Sequence, residues 1–186
     1  CDSSLLSPIL FLGFLPPVNK MQNIGERPSE QPSYPAQWLY CPRCHLVQLG
    51  LIVDPQILFP SEYPYTSSTT KVLRENFAEL FRECRRLLDI KPDDLIVDIG
   101  SNDGNLLSNF QKSCCVLGVT PEEIGKMAQE KGIDTIIDFF NSQVVEKIIK
   151  TRGRAKIITA TNVFAHMENI HEVIENIKKL LAPNGV

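Results

Sequence analysis

Apolar residues follow two different patterns along the chain, and the pattern changes near residue 69. From Thr70 to Asp89 they recur at helical spacing, which predicts an amphipathic helix. Beyond this helix, short apolar runs alternate with helical segments, as in folds built on parallel strands. The predicted strands are 95–100, 116–119, 134–138 and 156–164, and the predicted helices are 104–112, 120–132, 142–152 and 169–181. This series predicts an α/β fold with a doubly wound, mostly parallel sheet and right-handed crossovers.

Two of these helices have specific start signals. Thr120 is followed by proline and, three residues on, by Glu123, which predicts an N-cap and a capping box. Asn169 and Glu172 have the same spacing and predict the start of the last helix. The strands between these helices should end at one edge of the sheet, where ligands bind in such folds.

The segment 1–68 has a different composition. It holds most of the 13 prolines, several aromatic residues and little helical periodicity, which predicts short strands and turns. A proline-rich segment of this length buries little apolar surface. We therefore expect it to need an additional covalent or metal crosslink.

Three cysteines could provide that crosslink. Cys41 and Cys44 form a CPRC motif whose spacing is typical of zinc sites, and Cys1 is a third candidate ligand. Zinc normally takes four ligands in structural sites, and His45 is a poor fourth because it directly follows Cys44. Three reduced thiols without a metal are the alternative. In either case we expect a structural role; Cys84, Cys114 and Cys115 lie in apolar surroundings and are expected to pack.

Charge and hydropathy exclude other classes of function. With 19 basic and 22 acidic residues, no cationic excess favours nucleic acid. The apolar run LLSPILFLGFL is too short for a membrane span, is interrupted by Pro8 and lacks a basic flank. The cysteine content indicates a reducing, cytoplasmic setting, although a bacterial lipoprotein would also begin with cysteine. Because the chain begins with Cys1 instead of methionine and ends at Val186, where a helix should lead into another strand, we expect it to be cut at both ends.

The stretch VDIGSNDGNLL at 97–107 has the strongest chemical signal. Asp98 ends a predicted strand, and Gly100 and Gly104 allow a tight turn before a helix. The loop lacks the G-x-G-x-x-G fingerprint, so NAD is the weaker interpretation. A carboxylate before the first glycine suits a ligand with a cationic or hydroxyl-rich part, such as S-adenosylmethionine. The alternative is a plain turn in which Asp103 caps the helix.

These motifs together resemble those of a known family. VDIGSNDGNLL, VLGVTPEE, IIDFF and ATNVFAHMENIHEVIENIKKLL are similar to class I S-adenosylmethionine-dependent methyltransferases, which have a Rossmann-like domain. With LGFLPPVN, YCPRCHLVQL and LFPSEYPYTSS, the whole chain resembles C-methyltransferases of nucleotide-linked deoxysugars that carry an N-terminal zinc-binding domain. The resemblance implies three parts: a zinc-binding module at 1–68, a linking helix at 69–92 and a truncated methyltransferase domain at 93–186.

The resemblance also implies roles for individual residues. The residues implied to bind the cofactor are Asp98, Gly100, Ser101, Asn102, Gly104, Thr120, Asp138, Phe139, Asn162 and Val163. Thr120 stands where the family usually has an acid that binds the ribose. Thr120 could therefore serve only as an N-cap, and Glu122 could take the place of the ribose-binding acid. Cys1 would be the second cysteine of a C-x-x-C pair whose first member lies upstream. The zinc ligands are then Cys1, Cys41 and Cys44.

The implied reaction is methyl transfer to a carbon atom of a nucleotide-linked keto-deoxysugar through an enolate. His166 is the candidate base or orienting group, and Tyr63 and Tyr65 are candidates for sugar contacts; each could also be a packing or rim residue. His171 is expected to be solvated. The alternatives are a methyltransferase of the same fold with another small-molecule acceptor, or a non-catalytic zinc- and nucleotide-binding module. We expect this chain alone to have no turnover and at best weak cofactor binding; its oligomeric state stays open.

Overall fold

A computed structural model describes residues 1, 3–18, 22–61 and 65–186. They form two compact units, an amino-terminal unit at Cys1–Pro60 and a carboxyl-terminal unit at Ser61–Val186. None of the helices in these described ranges is long and apolar enough to cross a membrane.

The amino-terminal unit is a small antiparallel sheet. Strands β1 (Ser7–Leu15), β2 (Tyr34–Tyr40) and β3 (Val47–Leu49) are hydrogen-bonded in that order, which confirms the predicted short strands. A short helix, α1 (Pro55–Leu58), follows, and the side chain of Asp54 caps it by accepting a hydrogen bond from the backbone of Gln56.

This unit has almost no hydrophobic core. Cys41 is the only buried residue among those described between residues 1 and 60. Apolar side chains of β1 stay exposed, among them Phe11 and Phe14, which are 54% and 65% exposed. Burial of apolar surface therefore stabilises this unit very little. A crosslink at Cys41 would contribute most of the free energy that keeps the unit folded.

The carboxyl-terminal unit alternates between strand and helix. Its elements are α2 (Lys71–Leu87), β4 (Leu95–Ile99), α3 (Leu107–Phe110), β5 (Cys115–Thr120), α4 (Gly125–Glu130), β6 (Thr135–Ile137), α5 (Ser142–Arg152), β7 (Ala155–Thr159) and α6 (Ile170–Leu180). The strands form a parallel sheet in the order β6-β5-β4-β7. The predicted parallel α/β sheet is confirmed.

Helices cover both faces of this sheet. Strand β4 is buried along its whole length, so its alternate residues face two different core clusters. Ile96 packs in a cluster with residues of α2, α3 and α4, such as Phe77 and Phe110. Val97 packs in the other cluster with residues of α5 and α6, such as Ile148 and Leu180. This two-sided packing is the doubly wound arrangement.

Helices α5 and α6 begin where the pattern predicts. The side chain of Asn141 accepts a hydrogen bond from the backbone of Val144, and Asn169 does the same for Glu172. Helix α5 ends before Gly153, which has a φ of 86° that other residues rarely adopt.

Three element predictions were wrong in extent. Helix α4 begins at Gly125, and the predicted capping box at Thr120 does not form because the Thr120 hydroxyl bonds to Glu122. Helix α3 has four residues instead of nine, because Gly104 adopts a positive φ and starts a turn. Strand β7 ends at Thr159, since Asn162 adopts a φ of 57°, which is incompatible with an extended strand.

Candidate active site and metal centre

Asp98 lies near the carboxyl end of β4, in the middle of the sheet. Its register partners are Gly118 on β5 and Thr159 on β7. Its side chain is buried, and Oδ1 accepts a hydrogen bond of 2.6 Å from the Thr159 hydroxyl. Burial raises the pKa of Asp98 to about 7, and the Thr159 hydrogen bond opposes that rise. The group therefore changes charge near neutral pH.

The loop 100–104, here called the cofactor loop, turns sharply after β4. Gly100 has a φ of 73°, and its backbone N–H donates to the carbonyl of Val119 at 2.8 Å. A Cβ atom at Gly100 would lie 2.9 Å from Val163 Cγ2. The fold thus packs the side chain of Val163 closely against Gly100.

Two other residues of the cofactor loop face the protein interior. Ser101 is buried, and its hydroxyl has no hydrogen-bond partner within the part of the chain that the structure describes. Gly104 has a φ of 76°, and a Cβ atom there would lie 2.7 Å from Ile133 Cδ1. The positive φ together with this close packing therefore favours glycine at 104, whether or not a ligand approaches it.

Glu122 lies just beyond the carboxyl end of β5. It is 8% exposed, and its carboxylate accepts a hydrogen bond from the hydroxyl of Thr120, which is also buried. The Thr120 carbonyl accepts a hydrogen bond of 3.0 Å from the backbone of Asp138. The Asp138 carboxylate in turn accepts from the backbone of Phe139, and both residues are exposed after β6. The segment after β6 that carries Phe139 is thus hydrogen-bonded to the end of β5, which precedes Glu122.

The remaining site candidates lie on loops. Asn162 is exposed, and His166 ends a short 3₁₀ helix at Phe164–His166, seven residues beyond β7. Tyr65 is 46% exposed, and its carbonyl accepts a hydrogen bond from the Asn102 side chain. Tyr63 lies outside the described residues.

Sequence reasoning missed several residues that shape this site. Thr159 bonds Asp98, and its position at the end of an apolar strand was the available signal. Gly118 lies inside β5, and a Cβ atom there would be 2.9 Å from Ser101 Cβ; a glycine within a strand often marks such a close approach. Ser67 and Lys131 both bond Asp103, which no local pattern indicates.

A cavity of about 510 Å³ lies elsewhere in this unit. Its lining includes Asp134, which precedes β6, and Lys147 and Arg152 of α5. None of the residues predicted to bind the cofactor lines this cavity. Since Asp134 marks the amino end of its strand, the cavity does not coincide with the edge where α/β folds bind ligands.

Three cysteines of the amino-terminal unit come together. The sulfur atoms of Cys1, Cys41 and Cys44 all lie within 4.8 Å of one another, and those of Cys1 and Cys41 are 3.7 Å apart. Hydrogen bonding, chiefly from the backbone of Cys44, lowers the pKa of the Cys41 thiol and favours the thiolate that binds metals. Clustered thiolates are the donor set that zinc prefers, so these residues fit the ion.

His45, the weak alternative for a fourth ligand, is engaged elsewhere. Its Nδ1 atom forms a hydrogen bond with the Tyr40 hydroxyl, and its backbone N–H donates to the Cys41 carbonyl at 2.8 Å. His45 adopts a φ of 62°, which closes the tight turn that carries Cys41 and Cys44, here called the cysteine knuckle. His45 therefore stabilises the turn that carries Cys41 and Cys44.

Comparison with known families agrees with both halves of the chain. A family model described as a methyltransferase domain matches residues 72–186. The chain belongs to this methyltransferase family. A second family model, described as a proposed zinc binding domain, matches residues 1–59. Family membership confirms the predicted Rossmann-like, S-adenosylmethionine-dependent methyltransferase domain, and the second match with the cysteine cluster confirms the predicted zinc module.

A related protein and two solved structures are similar to this chain. The C-methyltransferase NovU of Streptomyces niveus is 32% identical over 155 residues, which are 82% of this chain and 37% of that protein. The plantazolicin methyltransferase BpumL is 17% identical with a TM-score of 0.49, covering 62% of this chain and 45% of BpumL. The magnesium protoporphyrin IX methyltransferase of Synechocystis PCC 6803 is 14% identical with a TM-score of 0.45. The match covers 58% of this chain and 54% of that methyltransferase.

Proposed function

We propose that the protein transfers a methyl group from S-adenosylmethionine to a carbon atom of a nucleotide-linked keto-deoxysugar. The observation that carries the proposal is the buried Asp98 carboxyl group beside the glycine turn at the carboxyl end of β4, in a methyltransferase-family domain. The name of NovU, a C-methyltransferase, supports carbon as the acceptor atom. The chain spans 37% of the length of that relative, so the acceptor has to be identified with the complete protein.

The cofactor would lie along the carboxyl ends of the strands. Asp98 and the cofactor loop would hold its methionine and ribose parts, and Phe139 would face the adenine ring. Asn162 and Val163 would lie near the transferred methyl group. The contact of Gly100 with Val163 supports this arrangement, because it brings the two loops together. The cofactor supplies, when bound, a methyl group on a positively charged sulfur atom.

The chain's own residues would prepare the acceptor. A carbon beside a carbonyl group becomes nucleophilic only after it loses a proton to a base. We propose His166 as that base or as an orienting group, because it follows β7 on the loop that carries Asn162 and Val163. Tyr65 would contact the sugar; its exposure leaves the ring accessible. The proposed role of Tyr63 rests on its position in the YPYTSS segment alone.

Ligand binding tests the proposal directly. Titration calorimetry should detect S-adenosylmethionine and should detect no NAD binding. D98A should abolish the S-adenosylmethionine signal, because Asp98 is the buried acid of the cofactor loop region. Binding of NAD in preference to S-adenosylmethionine, or equal binding by D98A, would contradict the proposal. Turnover is then measured in the complete protein with a keto-deoxysugar nucleotide as acceptor.

We further propose that Glu122 binds the ribose hydroxyls. It is a buried carboxylate whose hydrogen-bond partner is one hydroxyl, that of Thr120, so its other lone pairs can accept from a diol. Thr120 would then act by positioning the Glu122 carboxylate at the end of β5.

E122Q should weaken binding of S-adenosylhomocysteine about tenfold, because a charged acceptor is lost. Calorimetry with the 2′,3′-dideoxy analogue should show no difference between E122Q and the wild type. E123Q is the matched control, since Glu123 is exposed and pairs with Lys126 on the surface. An equal loss for both ligands would exclude a contact with the ribose.

The domain division at 1–68, 69–92 and 93–186 also remains a proposal. The two compact units divide instead between residues 60 and 61, and the family models match 1–59 and 72–186. The reducing, cytoplasmic location also remains a proposal, and it rests on the zinc-type spacing of Cys41 and Cys44.

A further inference from the structure

The side chain of Asn102 holds two backbone groups of a segment far away in the sequence. Its Nδ2 donates to the carbonyl of Tyr65 at 2.9 Å, and its Oδ1 accepts from the backbone N–H of Ser67 at 2.9 Å. The amide of Asn102 thus bonds a carbonyl before Thr66 and an N–H after it, as the backbone of a neighbouring β-strand would. Asn102 also adopts a φ of 52°, which glycine would adopt more readily. Asparagine tolerates this conformation better than most residues, and its amide also makes the two hydrogen bonds.

Asp103 binds the same segment next to Asn102. It is completely buried, and Oδ1 accepts a hydrogen bond of 2.5 Å from the Ser67 hydroxyl. Oδ2 pairs with the Lys131 ammonium at 3.0 Å, and that ammonium also donates to the Asp103 carbonyl. A buried carboxylate needs such partners, and removing one of them is costly. Asp103 therefore fixes Ser67 and cannot serve as the helix cap that the sequence allowed.

A second attachment lies at the neighbouring strand. The carbonyl of Ser61 accepts a hydrogen bond of 2.9 Å from the backbone of Glu123, just beyond β5. Residues 61 and 65–67 are therefore bonded to the segments that follow β5 and β4, respectively. Both attachments lie at the carboxyl edge of the sheet, on loops that carry candidate cofactor residues.

We propose that Asn102 and Asp103 are positioning residues that join the segment 65–69 to the cofactor loop, so that cofactor binding and order in this segment are coupled. The inference rests on the proposed function. A loop held in its binding conformation by Ser67 binds its ligand more tightly, and by thermodynamic reciprocity the ligand strengthens the attachment. Tyr65 would thereby be positioned only when the cofactor loop is formed.

The test combines amide hydrogen exchange with calorimetry, using S-adenosylhomocysteine as the ligand. In the wild type, saturation with the ligand should slow exchange of the amides of residues 65–69 by about tenfold or more. N102G keeps the positive φ and removes both hydrogen bonds. It should speed exchange of these amides in the free protein, abolish most of the ligand-induced slowing and weaken affinity about tenfold. S67A removes the hydroxyl that donates to Asp103. It should likewise speed exchange at residues 65–69 and weaken the affinity.

T69V is the matched control. The Thr69 hydroxyl bonds to the Thr66 carbonyl within the segment and makes no bond to the cofactor loop, so T69V should retain wild-type affinity. Circular dichroism should show that all variants are folded. If N102G and S67A bind the ligand as the wild type does, with unchanged exchange at 65–69, the proposed coupling is wrong. Failure of the wild type itself to bind S-adenosylhomocysteine would instead contradict the proposed function, and the coupling with it.

Discussion

C41S abolishes zinc binding and unfolds the amino-terminal unit, while the carboxyl-terminal unit keeps its structure. This is the expected result because Cys41 is the only buried residue described in the first unit and belongs to its sulfur cluster. Structural zinc sites contribute on the order of 10 kcal/mol to folding in small domains. A unit whose apolar strand side chains are exposed has little else to replace that contribution.

Metal analysis and tryptophan fluorescence measure the two parts of this prediction. Trp38, the single tryptophan of the chain, lies on β2, so its emission reports on the amino-terminal unit alone. A chelator should shift the emission of the wild type as C41S does. C115S is the control, because Cys115 is an exposed thiol on β5; the prediction that it packs was wrong. Unchanged zinc content and emission in C41S would show that the cysteine cluster does not bind the metal.

We expect D98N to make the carboxyl-terminal unit more stable at neutral pH than the wild type is. Burial raises the pKa of Asp98 to about 7 from 3.8, so between these values the folded state holds a proton that the unfolded state releases. Asp98 therefore lowers the stability of the wild type as pH rises from about 4 to about 7. The loss is complete above pH 7 and amounts to roughly 4 kcal/mol. Asparagine can still accept the Thr159 hydrogen bond but carries no charge.

Urea unfolding at several pH values, followed by far-ultraviolet circular dichroism, checks this prediction. The difference between D98N and the wild type isolates Asp98 from other carboxyl groups, such as Asp103, whose pKa is lowered. Burial acts to raise the pKa of Asp103, and bonds from Ser67, Ser68 and Lys131 outweigh it. D93N, at an exposed position before β4, should follow the wild type. A difference between D98N and the wild type that does not vary with pH would contradict the raised pKa.

The same group should release a proton when a cationic ligand binds. A positive charge near Asp98 favours its carboxylate, so binding of S-adenosylmethionine near pH 7 should release about half a proton. Calorimetry of the wild type in two buffers of different ionisation enthalpy measures this release.

The pattern of apolar residues predicted most of the regular structure. Helix α5 matches the prediction at both ends because the residues that bound it, the Asn141 cap and Gly153, act locally. The predictions failed where a polar residue finds a distant partner. Asp103 could have capped a helix, but a buried hydrogen bond to Ser67 and an ion pair with Lys131 hold it elsewhere. A cap contributes about 1 kcal/mol, less than the cost of leaving that carboxylate buried without partners.

Some features of this protein follow from neighbours in the chain, and others from contacts between remote segments. The strand and helix series, the glycine turn after β4 and the CPRC knuckle arise from residues a few positions apart, and they suffice to identify the kind of fold. The partners of Asp98, Asn102 and Cys41 lie 61, 37 and 40 residues away, respectively. Those pairs depend on how strands align and loops pack, and no periodic pattern encodes them. The chemistry of the site, which depends on burial and on these pairs, is therefore a property of the folded chain.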